Sequence, residues 1–82
     1  MTHSLYWHFS TRFSDTIIAE SEESGYMYRI QEDEAEELFK VSVFKEDALD
    51  PWYTAGFETL YEAVKDCENT ELLATLHKRY PL

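Results

Sequence analysis

Tyr26-Met27-Tyr28-Arg29-Ile30-Gln31 and Leu38-Phe39-Lys40-Val41-Ser42-Val43-Phe44, with Glu32-Asp33-Glu34-Ala35-Glu36-Glu37 between them, set the architecture of this chain. Both runs alternate with period two, the spacing that sends successive side chains to opposite faces of a strand. Tyr26, Tyr28 and Ile30 share one face of the first run. Phe39, Val41 and Val43 share one face of the second, with Lys40 and Ser42 opposite. Two such strands joined by a short acidic connection predict an antiparallel hairpin.

Toward the N-terminus, Leu5-Tyr6-Trp7-His8-Phe9 alternates as well and places Leu5, Trp7 and Phe9 together. Arg12 to Asp15 reads as a turn. Thr16-Ile17-Ile18-Ala19-Glu20 is rich in β-branched residues and favours a strand, in competition with a short helix over 14–22. Ser21-Glu22-Glu23-Ser24-Gly25 is a polar turn in which Gly25 supplies a positive φ.

Beyond the hairpin the period changes. Asp50-Pro51-Trp52-Tyr53 reads as a connector, because proline cannot donate to a central ladder. Phe57, Leu60, Tyr61 and Val64 follow at helical spacing, with Thr54 or Gly56 to begin that helix. Leu73, Leu76 and Tyr80 continue an apolar stripe. They predict a second helix over 70–79, capped by Asn69 or Thr70 and stopped by Pro81. The expected fold is therefore α+β. An antiparallel meander of three or four strands carries one or two C-terminal helices on one face.

The chain is a single small acidic domain by length, 82 residues. Apolar residues make up 44% and aromatic residues 16%, too many for a disordered acidic chain. One cysteine, Cys67, rules out an internal disulfide and a four-cysteine zinc site, and suits a reducing compartment. Met1 to Arg12 offers no apolar leader segment, and no run is long enough to span a bilayer, so a cytoplasmic location is the expectation.

Seventeen Asp and Glu against seven Lys and Arg give a net charge of −10. Every acid lies between Asp15 and Glu71. Such a surface repels nucleic acid and anionic membrane and attracts basic protein. Glu32, Asp33, Glu34, Glu36 and Glu37 crowd one hairpin loop, and Glu20, Glu22 and Glu23 lie in or beside the loop at the other sheet end. Acid would then continue along the helix through Glu58, Glu62, Asp66, Glu68 and Glu71. Strand and helix spacings of about 5–7 Å can imitate the charges of a nucleic-acid backbone. Trp52 and Tyr53 are the expected apolar anchors, since exposed Trp and Tyr dominate protein interfaces.

Other chemistries are poorly served. The acidic loop lacks the glycine turn of a calcium loop. His3, His8, His77 and Cys67 do not have zinc-ligand spacing, and Asp66 and Glu68 disfavour a Cys67 thiolate. Two glycines make no phosphate cradle, so neither an enzyme nor a cofactor is expected. In size, charge and compactness alone, the chain resembles the small acidic inhibitors that phages and mobile elements aim at nucleases, restriction enzymes and CRISPR effectors. That resemblance implies a basic, nucleic-acid-handling protein as partner and no direct contact with nucleic acid. The other reading is a housekeeping interaction domain that homodimerises through its sheet, its acid serving solubility.

Overall fold

The computed structural model describes residues 5–80. They form five strands and one helix: β1 (His8–Phe9), β2 (Thr16–Glu20), β3 (Met27–Asp33), β4 (Leu38–Phe44), β5 (Tyr53–Phe57) and α1 (Leu60–Arg79). The sheet is an antiparallel meander in the order β1-β2-β3-β4-β5. The α+β expectation holds, with five strands where three or four were expected.

The central hairpin is the one the alternation predicts. Tyr28 pairs with Val43 and Ile30 with Val41, so all four side chains lie on one face, and all four are buried. Ala19 joins them beside Tyr28, and Ile17 beside Ile30. The helix covers this face. The opposite face is mixed, and Phe44 and Ser42 on it are buried: Arg29 lies 5.2 Å from the Phe44 ring centroid and donates to Ser42 Oγ at 3.5 Å.

Two segments differ from the sequence expectation, and a third settles between its two readings in favour of the strand. The N-terminal strand shrinks to two residues, and Phe9 is exposed while Leu5 and Trp7 pack against the core. The 14–22 alternative resolves as strand β2. The connector at Tyr53 becomes strand β5, pairing Tyr53 with Val43 and Phe57 with Phe39. Pro51 sits just before β5, where its missing donor costs no ladder bond.

The two expected helices are one. Thr59, not Thr54 or Gly56, caps it: its hydroxyl accepts from Glu62 N–H at 3.2 Å and donates to Glu62 Oε1 at 2.9 Å. Thr70 starts no second helix, because its hydroxyl donates back to the Asp66 carbonyl at 2.9 Å inside α1. His77, Lys78 and Arg79 fill the last turn, where basic groups oppose the helix dipole. Pro81 lies outside the described residues, as does His3.

The larger correction concerns which face of α1 is inside. Leu73, Leu76 and Tyr80 point away from the sheet and are exposed. The buried stripe is Ala63, Cys67, Glu71 and Thr75, one residue per turn. The sheet already supplies the bulk through Tyr28, Ile30, Val41 and Val43, so a helix with small side chains can approach closely.

Candidate functional site

The meander separates the acidic residues by sheet end. Strands β2 and β4 start at the end where the β3–β4 turn lies, and finish at the end of the β2–β3 and β4–β5 loops. Seven-residue strands set these ends about 20 Å apart. Of the expected partner-binding residues, Glu32, Asp33, Glu34, Glu36 and Glu37 gather at the turn end. Glu20, Glu22, Glu23, Trp52 and Tyr53 gather at the loop end.

At the turn end the backbone is tied by its own acids. Asp33 Oδ1 accepts the Glu36 N–H at 3.1 Å, and Glu37 takes the left-handed conformation with φ 57° that closes the turn. Glu32 N–H donates to the Asp15 carbonyl at 3.0 Å, which draws Asp15 and the β1–β2 turn to the same end. Lys40 Nζ reaches Asp33 at 3.1 Å and Glu36 at 3.3 Å. The Lys40 hydrogen bond, helped by the Glu36 N–H, holds the Asp33 carboxyl below its ordinary range. In turn Asp33, then Glu36, raise the Lys40 ammonium. Glu32, Glu34 and Glu37 are exposed or nearly so and pair with no cation among the described residues. Glu32 and Glu34 line a cleft of about 560 Å³ together with Asp15, Gln31, Asp33 and Lys40.

The loop end is balanced differently. Arg79 binds Glu23 Oε1 at 2.7 Å, and Lys78 Nζ donates to the Glu23 carbonyl at 2.9 Å. The basic end of α1 is thus bonded to the acidic β2–β3 loop. The negative residues do not form one continuous field. The expected partner-binding acids split between the ends, Glu62, Asp66 and Glu68 lie along α1, and Lys40 and Arg79 are interleaved among them.

Trp52 lies over the seam between sheet and helix and is 54% exposed. Its ring is tilted against Tyr26 at 5.8 Å and Tyr53 at 6.2 Å, with Lys45 Nζ 4.8 Å above it. With Leu73, Ala74 and His77 these aromatics line a cleft of about 590 Å³. Tyr53 is only partly exposed. Burial, then the nearby Asp66 carboxylate, raises its phenol above the ordinary value.

Glu71 leaves the expected acidic surface altogether. It is 2% exposed and accepts from the hydroxyls of Ser21, Ser24 (2.6 Å) and Tyr28 (2.7 Å). Burial first, then this bond, raises the Tyr28 phenol. The three donors satisfy a carboxylate that would otherwise be costly inside a protein. They also fix the β2–β3 loop to α1. No local pattern marks Glu71, because its partners lie 43 to 50 residues away in sequence.

Cys67 is buried on the inner side of the same helix, and burial, then Asp66 and Glu68, push its thiol up to about 12. It is a packing residue and a poor nucleophile at neutral pH. His77 faces the aromatic cleft and His8 lies on β1, so neither meets Cys67 in a common site. No helix of the described residues is long and apolar enough to cross a membrane. No protein-family model, curated protein or solved structure matches the chain.

Proposed function

We propose that this protein is a non-enzymatic binding module that occupies a basic surface of a nucleic-acid-handling protein, as an inhibitor or nucleic-acid mimic. The observation that carries the reading is the β3–β4 turn end. There Glu32 and Glu34 beside Asp15, and Glu37 in the turn, have no cation partner among the described residues, while Asp33 and Glu36 hold Lys40. A hairpin buried along one face gives these charges a fixed platform. Charges held in place steer a basic partner and make association fall with salt.

Capture from a lysate of the source cell tests the reading. The immobilised protein is compared with a Glu32→Lys, Glu34→Lys, Glu37→Lys variant. The expected result is a nucleic-acid-binding protein that salt elutes and the triple variant fails to retain. Nucleic acid added in excess should compete for it. A captured set unchanged by the reversal, or insensitive to salt, would overturn the proposal.

A further inference from the structure

The two edges of the sheet are finished differently. At one edge β1 is two residues long, and so short a strand offers little to pair with. At the other edge β5 runs through Tyr53–Phe57 with no charged side chain and no proline, the usual guards of an edge. One side of β5 is bonded to β4. Alternate residues turn N–H and C=O to the far side, and no described residue hydrogen-bonds to them there. Exposure agrees with an open edge. Thr54 and Gly56 are exposed, and Ala55 is only half-buried although Val41, its partner on β4, is fully buried.

Residues 1–4 and 81–82 are too few to fill this edge. Leu5 borders Glu20 and Ser21 at the end of β2, which stands three strand spacings, about 14 Å, from β5. Four residues span about 14 Å when fully extended, which leaves none to lie along β5. At the other terminus Arg79 is bonded to Glu23 in the β2–β3 loop. Two further residues reach about 7 Å, short of the roughly 10 Å from β3 to β5.

Charge selects the occupant. Asp47 and Asp50 lead into β5 and Glu58 follows it; all three are exposed, and none has a cation partner among the described residues. Phe57 pairs with Phe39, so this end of β5 also lies close to Glu37 in the turn. The nearby cations are engaged: Lys40 by Asp33 and Glu36, and Lys45 by the Trp52 ring. A second copy would bring a like set of acids against these. A strand with Lys or Arg at both ends and uncharged residues between matches them. We propose that β5 pairs with an extended, basic-ended segment of the partner protein, which adds a sixth strand to the sheet. Backbone hydrogen bonds hold the segment, and the acids at both ends of β5 choose it. The inference rests on the proposed basic partner and specifies how one part of that partner is held.

NMR titration of the isotope-labelled full chain with the peptide Lys-Arg-Val-Thr-Val-Thr-Arg-Lys tests it at physiological salt. The expected result is that the amides of β5 shift and gain protection from hydrogen exchange. The same peptide N-methylated on every second residue keeps its charge but loses one row of donors. In one of the two phases it should bind at least about tenfold more weakly. Glu-Glu-Val-Thr-Val-Thr-Glu-Glu should bind at least about tenfold more weakly as well, and Asp50→Lys with Glu58→Lys should weaken the basic peptide about fivefold or more. Unmoved β5 amides at about 1 mM basic peptide would overturn the inference. So would binding that both methylated peptides retain in full, or shifts confined to the turn-end acids. The lysate capture reads the other proposal separately. Salt-eluted capture lost in the turn-end reversal, with no peptide pairing on β5, would sink this inference alone. Pairing on β5 with a captured set indifferent to that reversal would sink the proposed function and leave the edge assignment standing.

Discussion

The two sides of α1 invert the usual arrangement of an amphipathic helix. The inner side is Ala63, Cys67, Glu71 and Thr75; the outer side of its C-terminal half is Leu72, Leu73, Leu76 and Tyr80. Measured by hydropathy, the outer leucines look like core, while Glu71 and Thr75 on the inner side look like surface. The difference teaches that space, not hydropathy alone, decides which side faces a sheet. The faces of β3 and β4 already carry a tyrosine, an isoleucine and two valines. Small residues let the helix settle on them, and three hydroxyls offset the cost of burying Glu71.

The inner stripe is the place to break this comparison hardest. Ala63 is fully buried against the sheet, so Ala63→Leu has no room. It should cost about 3 kcal/mol by overpacking, read as a fall in urea midpoint with unchanged slope. A loss under about 0.5 kcal/mol would mean that the helix stands off from the sheet. Glu71→Gln is a gentler probe. It keeps one oxygen as an acceptor but turns the other into an NH2 donor facing the hydroxyls around it. A loss of about 1–2 kcal/mol is expected, or roughly 4–16 °C in Tm for a domain of this size.

The smallest effect belongs to the exposed turn, where Lys40 meets Asp33 and Glu36. The Asp33 carboxyl is depressed in the folded protein, so its contribution is present above its unfolded pKa and is lost as pH falls through the folded value. Acid therefore loosens the turn and neutral pH holds it. Titration followed by carboxyl NMR shifts should show Asp33 moving back toward the ordinary value in Lys40→Ala, with a change in Tm too small to resolve. An Asp33 titration unmoved by that substitution would show that the Glu36 N–H alone holds it.

Legibility followed the range of the interactions. The β3–β4 hairpin was readable because period-two alternation is local, and Tyr28, Ile30, Val41 and Val43 fall where it places them. Strand β5 was hidden by Pro51, Trp52 and Gly56, which resemble a connector, and by Phe57, whose spacing to Leu60 and Tyr61 imitates a helix. Its strand character comes from pairing with β4. The turn-end acids were legible as a cluster. Their partial neutralisation by Lys40 depends on cross-strand and turn geometry that charge counting does not see. Trp52 was found as an aromatic anchor, but its neighbours Tyr26 and Leu73 come from distant segments. Glu71 was assigned to the surface for the same reason, since its three donors come from β3 and the loop before it.

The inside-out helix is tested most directly by urea denaturation of Glu71→Ala and Leu73→Ala. Glu71→Ala strands three hydroxyls, two of them buried, and should cost about 3 kcal/mol, whereas Leu73→Ala trims an exposed side chain and should stay within about 0.5 kcal/mol of wild type. The reverse order, with Leu73→Ala the more damaging, would place the leucines in the core and contradict the account.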